Sequence, residues 1–206
     1  MKLYTVAEII QAELRSESLS ALMDKAGTGL AEAVLAFFPE GRIGIFCGSG
    51  NNGGDGYVCA LRLMELGRDV RLWAIGQDKL PEGSLVKNAA DAFLLAGGVI
   101  LPVSGELAVG DIDCGLLVDC LFGTGLSRPV SGLYAHGIEL INESGVPVLS
   151  CDVPSGVNAD TGEIMGMAVR ADKTMVIGMG KMACALSPGM EYFGEQEFCD
   201  IGLSHE

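Results

Sequence analysis

The sequence predicts an α/β protein with a mainly parallel central sheet. Short apolar runs with the length of buried strands alternate along the chain with segments of helical periodicity. Glycine makes up 30 of the 206 residues, and no Gly-X-Y repeat accounts for it, so glycine must serve turns and close backbone approach. Hydrophobic residues at 49% and charged residues at 19% are typical of a globular domain. We find no internal repeat or linker and predict one domain spanning residues 1–206.

The first half of the chain contains three predicted helices. A helix is predicted over 19–38, because Leu22, Ala26, Leu30, Val34 and Phe37 have helical spacing. A buried strand at 42–47 and a helix at 55–66 follow, and Gly67 is placed to cap that helix. A strand at 70–75 and a helix at 83–96 complete this half.

The second half continues the alternation. A strand is predicted at 116–119, followed by a helix that Ser131 caps and that runs to about Asn142. Further strands are predicted at 146–151, 173–177 and 197–201. These elements extend the parallel sheet.

Charge and cysteine content exclude several classes of protein. The net charge is −14, from 13 basic and 27 acidic residues, so a nucleic-acid binder led by phosphate contacts is excluded. No stretch is long and apolar enough to cross a membrane, and the N-terminus is unlike a secretory signal. Seven cysteines without C-x-x-C spacing, and only His136 and His205, favour reduced thiols over a zinc site. We expect a cytoplasmic protein.

Three predicted strands end in polar or glycine-rich segments, at 48–56, 119–129 and 152–158. In open α/β sheets, ligands bind beyond the carboxyl ends of the strands, where the strand order reverses. If these strands are parallel, their following segments lie on one edge of the sheet. We therefore predict one ligand site built from all three.

The first segment, GSGNNGGDG, contains G-x-G-x-x-G at Gly48, Gly50 and Gly53 between a strand and a helix. Such glycines let backbone amides hold a pyrophosphate, which suits an acidic protein with few lysines. The pattern alone is also compatible with a simple tight turn. The polar Asn51-Asn52 pair and Asp55 favour the binding function.

The second segment, VDCLFGTGLSRP, supplies N–H and hydroxyl donors, and Arg128 is its only cation. Arg128 is a candidate for bidentate phosphate binding, with a surface salt bridge as the alternative. Asp119 is either a site carboxylate or one that only braces the loop. One carboxylate, that of Asp119, together with the neutral oxygens of Asn52 and Ser155 would suit a weakly charged hard cation better than zinc. The spacing in the sequence does not show whether these three residues lie close together in the fold.

The third segment, SCDVPSGVN, places Asp152 at the end of an apolar strand, where a carboxylate is costly to bury without a partner. Asp152 is the best candidate for a general acid or base, and a hydrogen-bonded turn aspartate is the alternative. Neither G-x-x-x-x-G-K-[ST] nor G-x-S-x-G occurs, which excludes a Walker-type kinase and argues against a serine hydrolase.

These segments closely resemble those of the NAD(P)H-hydrate epimerase family, the YjeF N-terminal domain. The resemblance rests on GSGNNGGDGYVCALRL, VDCLFGTGLSRPVSG and CDVPSGVNADTGE, and continues in LMDKAG, ADKT and DIGL, so it covers nearly the whole chain. The stretch between Val6 and Leu22 departs from it, because the M-R-x-x-D-like segment typical of the family is missing. The resemblance implies a Rossmann-like three-layer sandwich that is usually dimeric.

The resemblance also implies an activity and a site. The family interconverts the R and S forms at C6 of hydrated NADH and NADPH (NADHX and NADPHX), and an ATP- or ADP-dependent dehydratase, separate or fused, then dehydrates the S form back to usable cofactor. One potassium ion per subunit would be held by Asn52, Asp119 and Ser155. The implied substrate contacts are Asn51, Asn52, Gly53, Gly54, Asp55, Gly123, Thr124, Gly125, Leu126, Ser127, Arg128, Pro129 and Asp152.

Two other functions stay open from the sequence. One is a catalytically silent nucleotide-binding or scaffold domain of the same fold, which should have lost site residues. The other is an NAD-dependent dehydrogenase, for which Asp78 would be the only acid placed to bind the ribose. A role for Lys181 is not predicted.

Overall fold

The computed structural model describes residues 2–16 and 18–203, so His205 lies outside the described residues. Its centre is a seven-stranded sheet in the order β4-β3-β2-β5-β6-β7-β9, and every neighbouring pair of strands is parallel. The strands are β2 (Ile43–Cys47), β3 (Val70–Ala74), β4 (Ile100–Pro102), β5 (Leu116–Cys120), β6 (Val148–Cys151), β7 (Lys173–Ile177) and β9 (Glu195–Cys199). The predicted parallel α/β sheet is confirmed.

Helices cover both faces of the sheet, because residues of one strand alternate between two apolar clusters. In β2, Ile43 and Ile45 pack into the cluster with the helices before and after it, whereas Phe46 packs into the cluster on the opposite face. The helices are α1 (Val6–Leu14), α2 (Leu19–Phe37), α3 (Asn51–Glu65), α4 (Leu85–Leu95) and α5 (Leu133–Glu143). Helix α5 packs on the second face, which makes three layers.

The chain reverses its direction across the sheet between β2 and β5. It runs outward from β2 through β3 to the edge strand β4, then returns to β5 on the other side of β2. The remaining strands extend the sheet in the opposite direction. The segments that follow β2 and β5 therefore lead in opposite directions and leave a crevice between them, the place where open α/β sheets bind ligands.

The N-terminal segment forms an ordered layer at the same edge of the sheet. Strand β1 (Leu3–Tyr4) pairs in parallel with β8 (Gly180–Lys181) in a separate two-stranded sheet. Helix α1 follows, and its capping box joins Thr5 to Glu8. The N–H of Val6 donates to Asp160 Oδ1 at 2.7 Å, which fixes the start of the helix. None of these elements was predicted from the sequence.

Three predicted boundaries were wrong. Helix α3 begins at Asn51, not at residue 55. Gly53 packs against the backbone of Gly48 and Gly54 packs against Met23, and these tertiary contacts outweigh the low helix propensity of glycine. Helix α5 is capped by Gly132 at a φ of 61°, not by Ser131, and no side chain bonds its first turn. The last strand lies at 195–199, where it pairs with β7, rather than at 197–201.

Candidate active site

The three predicted segments meet at the crevice between β2 and β5. The Nδ2 of Asn52, in the first turn of α3, donates to the carbonyl of Phe122 at 2.9 Å. The N–H of Phe122 donates to Ser155 Oγ at 2.8 Å. The hydroxyl of Ser155 in turn donates to Asp119 Oδ1 at 2.6 Å. Asn52, Asp119 and Ser155, whose convergence the sequence left open, therefore belong to one connected group.

A cavity of about 450 Å³ opens at this crevice. One wall is polar and contains the loop after β2, the first turn of α3 and the loop after β5. The other wall comes from α1, α2 and the C-terminal segment and is apolar apart from Glu13 of α1. The residues that line both walls include Ile9, Glu13, Leu22, Met23, Ser49, Asn51, Asn52, Asp55, Phe122, Gly123, Thr124, Gly125, Leu126, Tyr134, Asp152, Lys181 and Leu203.

The start of α3 offers backbone donors to a ligand. Its N-cap is Gly50, which has no side chain to bond the free N–H groups of the first turn. A methyl group on Gly48 would collide with the carbonyl of Leu121, and one on Gly53 with the carbonyl of Gly48. A methyl group on Gly50 would meet nothing within 4 Å. Glycine at 48 and 53 therefore permits the tight loop, and the N-terminus of α3 is a ready anion site.

Asp119 is a fully buried carboxylate at the end of β5. Besides the Ser155 hydroxyl, it accepts from the N–H of Ser155 at 2.8 Å, the Ser150 hydroxyl at 2.9 Å and the N–H of Leu121 at 3.2 Å. Burial raises the pKa of Asp119, although these hydrogen bonds oppose the rise. The Asp119 carboxylate therefore connects the loop after β5 to the loop after β6 through hydrogen bonds.

The same group fits a monovalent cation. Asn52 Oδ1 is buried and accepts no hydrogen bond within the described residues. No group of three or more His, Cys, Asp or Glu side chains in the described part of the chain is placed to hold a metal ion. An ion here would therefore be held by neutral oxygens and the single carboxylate of Asp119, a donor set that suits a weakly charged hard cation.

Asp152 combines an ion pair with a strained backbone. Its φ is 68°, the single positive value among the described non-glycine residues, and the N–H of Val153 bonds the carbonyl of Cys151 at 2.8 Å across it. Its Oδ1 accepts from the N–H of Ile177 at 3.1 Å and from Lys181 Nζ. Such strain is kept where surrounding contacts enforce it, often at functional sites.

Lys181 is 2% exposed and is the partner that Asp152 requires. Its Nζ also donates to the carbonyl of Ile177 at 2.6 Å. Among the described residues that line the cavity, Lys181 is the only lysine or arginine. The sequence offered a signal, because a lysine within the apolar run from Met175 to Leu186 is costly to bury alone, but it did not identify the partner.

Two further carboxyl groups face the same cavity. Burial raises the pKa of Asp55 well above its usual range, and the charges of Asp152 and Glu13 raise it further. Burial and then the charge of Asp152 raise the pKa of Glu13. Three carboxyl groups thus share one ammonium group, and both burial and their mutual repulsion favour the protonated forms of Asp55 and Glu13.

The remaining predicted site residues lie in two different settings. Gly53 and Gly54 are buried behind the cavity wall, whereas Thr124, Gly125 and Leu126 line it. Ser127, Arg128 and Pro129 are exposed beyond the lining. Arg128 forms no ion pair within residues 2–16 and 18–203, so the salt-bridge alternative has no partner there.

Three polar or aromatic side chains of the site lie outside the segments predicted from the sequence: Glu13, Tyr134 and Lys181. The Phe122 and Tyr134 rings lie 4.5 Å apart, and Tyr134 Oη lies 3.1 Å from Ser49 Oγ. Asp78, the acid of the dehydrogenase alternative, lies in the short helix Gln77–Lys79 after β3 and is not part of the lining.

The fold and the cavity define a Rossmann-like α/β protein whose site lies at the switch point between β2 and β5. The family model described as YjeF-related protein N-terminus matches residues 19–183. The chain therefore belongs to this family, and the predicted resemblance is confirmed.

Several curated relatives cover most of the chain. The bifunctional NAD(P)H-hydrate repair enzyme Nnr of Thermofilum pendens is 41% identical over 84% of this chain and 34% of its own length. The NAD(P)H-hydrate epimerases of Limosilactobacillus fermentum and Rhodopirellula baltica are 36% and 35% identical, over 84% and 90% of this chain and 81% and 76% of theirs. The chain thus spans about a third of the length of the bifunctional relatives it matches.

A solved structure shares the fold. The crystal structure of a yeast protein superposes with a TM-score of 0.78 at 23% identity, covering 90% of this chain and 84% of the yeast chain. The predicted Rossmann-like sandwich is confirmed. In addition, no helix within residues 2–16 and 18–203 has both the length and the apolar character needed to cross a membrane.

Proposed function

We propose that this protein is an NAD(P)H-hydrate epimerase, an isomerase that interconverts the R and S epimers at C6 of NADHX and NADPHX. The observation that carries the proposal is Asp152, an ion-paired carboxylate in a cavity that opens beside the N-terminus of α3. The two relatives that this chain covers over most of their own length are named NAD(P)H-hydrate epimerase, which supports the proposal.

Charge determines how the dinucleotide would lie in the cavity. The pyrophosphate is negative, and the three carboxyl groups at Glu13, Asp55 and Asp152 would repel it. The backbone donors of residues 50–53 and 123–127 attract it, and Arg128 is free to bind a phosphate from the rim. The hydrated nicotinamide ring carries no charge and would lie next to the carboxyl groups.

The chemistry at C6 needs proton transfer. This carbon carries both a hydroxyl group and the ring nitrogen, so its configuration is lost when the hydroxyl leaves or when the ring opens. Asp152 would move the proton that either route requires, a contribution of typically about 10²–10⁴-fold. Lys181 would hold the Asp152 carboxylate in position against the backbone of Ile177.

A potassium ion, one per subunit, is part of the proposal. Asn52, Asp119 and Ser155 would hold it, and it would balance the buried charge of Asp119 and order the two loops that bind phosphate. We further propose that the protein is a cytoplasmic homodimer whose product is used by an ATP- or ADP-dependent NAD(P)HX dehydratase, separate or fused. The bifunctional relatives support the fused arrangement.

The test is epimerisation of purified (R)-NADHX, followed over time by chiral separation with and without potassium. The spontaneous rate is subtracted, because this centre also epimerises unaided. We expect acceleration by the protein, and we expect potassium to increase it. Asp152→Asn should lower kcat by about 10²-fold or more. Asp78→Asn removes the same charge outside the cavity and should keep the wild-type rate.

Two results would contradict the proposal. If the folded protein binds the cofactor but does not accelerate epimerisation, a silent binding or scaffold function replaces the enzyme. If Asp152→Asn epimerises at the wild-type rate, Asp152 does not transfer the proton.

A further inference from the structure

Helix α1 brings a carboxyl group to the cavity from outside the glycine-rich segments. Glu13 lies in the last turn of α1 and lines the cavity beside Asp55, Asp152 and Lys181. The neighbours of Glu13 in α1, Ile9 and Ala12, are buried in the core, so this face of the helix is held against the protein.

The position of α1 is coupled to the ion pair of Asp152. Strand β1, which leads into α1, pairs with β8, and Tyr4 lies opposite Lys181 in that pairing. The strand that pairs with β1 therefore contains the lysine that binds Asp152. Glu13 reaches the cavity from this N-terminal layer, whereas Asp152 reaches it from the carboxyl edge of the main sheet.

The cavity contains more carboxyl groups than its single ammonium group can neutralise. Lys181 bonds Asp152, and within the described residues neither Glu13 nor Asp55 has a hydrogen-bonded cation. The raised pKa of Glu13 supports a protonated form that can donate. A structural salt bridge needs only one carboxylate, so Glu13 and Asp55 are both additional to it. Asp55 lies on α3 in the polar wall, and Glu13 is the acid that α1 brings from the other wall.

Inversion at C6 explains why an acid in that wall is needed. When the hydroxyl leaves, the C6–O bond breaks, a proton from an acid completes the departing water, and the lone pair of N1 forms an N1=C6 double bond. Water then attacks the other face of C6, the C=N bond pair returns to N1, and a base takes the proton of the new hydroxyl. The two proton transfers occur on opposite faces of a flat ring, so two groups in different walls are needed.

We propose that Glu13 is a second catalytic residue, which acts on the face of C6 opposite to the one that Asp152 serves. This inference rests on the proposed epimerase function. In one direction Glu13 gives its proton to the leaving hydroxyl and Asp152 accepts a proton from the incoming water; in the other direction the roles exchange. The starting protonation states are restored by exchange with solvent.

The first experiment compares Glu13→Gln and Glu13→Asp with wild type. Glu13→Gln should lower kcat for (R)-NADHX by about 10²-fold or more with little change in KM, and Glu13→Asp should recover part of the rate. Glu32→Gln on α2 loses the same charge at an exposed site and should match wild type. Thermal unfolding of each variant checks that it is folded.

The second experiment follows oxygen. In ¹⁸O-labelled water, each enzymatic epimerisation should place one solvent oxygen at C6, after the spontaneous exchange is subtracted. Retention of the original oxygen indicates ring opening and overturns the two-face role of Glu13. Wild-type kcat in folded Glu13→Gln also overturns it. Lack of acceleration by the wild-type protein instead contradicts the proposed function itself.

Discussion

Asp152 and Lys181 form a buried ion pair at the edge of the cavity. The lysine is buried, the aspartate side chain is 13% exposed, and Asp152 has a backbone conformation that non-glycine residues rarely adopt. On β7, the N–H of Ile177 donates to the Asp152 carboxylate, and the carbonyl of Ile177 accepts from the Lys181 ammonium group. Each partner therefore depends on the other for the compensation of its charge.

We expect Lys181→Met to destabilise the protein by about 3–5 kcal/mol, because it leaves a carboxylate without its cation in a poorly solvated place. Urea unfolding measures the free-energy change, and Lys79→Met, at an exposed lysine, is the control. Adding Asp152→Asn to Lys181→Met should restore part of the loss, because the uncompensated charge is then removed. Equal stability of Lys181→Met and wild type would show that the pair contributes nothing.

Sequence analysis located Asp152 but not the residues around it. Its strand-end position and apolar neighbours are local features, so they are visible in the sequence. Lys181 and Glu13 reach the cavity through the pairing of β1 with β8, which joins residues more than 170 positions apart. No local pattern encodes that pairing, and so neither the place of Glu13 in the cavity nor the pairing of Lys181 with Asp152 could be predicted.

At the scale of elements, the packing of α2 against α3 explains why the start of α3 was misplaced. A methyl group on Gly27 of α2 would lie 2.6 Å from Val58 Cγ1 and 2.8 Å from the carbonyl oxygen of Asp55. On α3, a methyl group on Gly54 would collide with Met23. Glycine lets the two helices approach closely, and this tertiary contact holds the turn that propensity alone does not favour.

We expect Gly27→Ala to lower the free energy of unfolding by about 1–3 kcal/mol, because the added methyl forces α2 away from α3. The expected loss is net of the gain of about 1 kcal/mol that alanine gives in a helix. Chemical denaturation measures it, with Gly110→Ala as control, since a methyl group there meets nothing within 4 Å. An increase in stability would show that the helices have room to adjust.

At the scale of the whole molecule, the alternation of strands and helices predicted the layers because burial on both faces leaves a strong apolar pattern in parallel strands. The order of the strands was not predicted, because right-handed crossovers permit several orders from one pattern. The same layers enclose the cysteines: Cys47, Cys59, Cys120 and Cys151 are buried in the core between the sheet and the helices, and all seven described cysteines are free thiols.

Buried thiols make the stability of the whole fold sensitive to alkaline pH. Burial raises the pKa of Cys59 well above 9.0, its ordinary value, so the folded state keeps a proton that the unfolded chain loses. The contribution of each such thiol to the free energy of unfolding is therefore fully present below about pH 8.5. As the pH rises further, this contribution is lost by up to about 1.4 kcal/mol per pH unit for each thiol.

Denaturant unfolding with a reductant present, between about pH 8 and about pH 10, should show this loss. Cys59→Ala removes one titrating group and should make the decline with pH shallower, even though it lowers stability at every pH. Ile45→Val, a buried substitution without a titrating group, should cost about 0.5–1.5 kcal/mol and keep the wild-type slope. If Cys59→Ala also keeps that slope, this thiol loses its proton as easily in the folded state as in the unfolded chain.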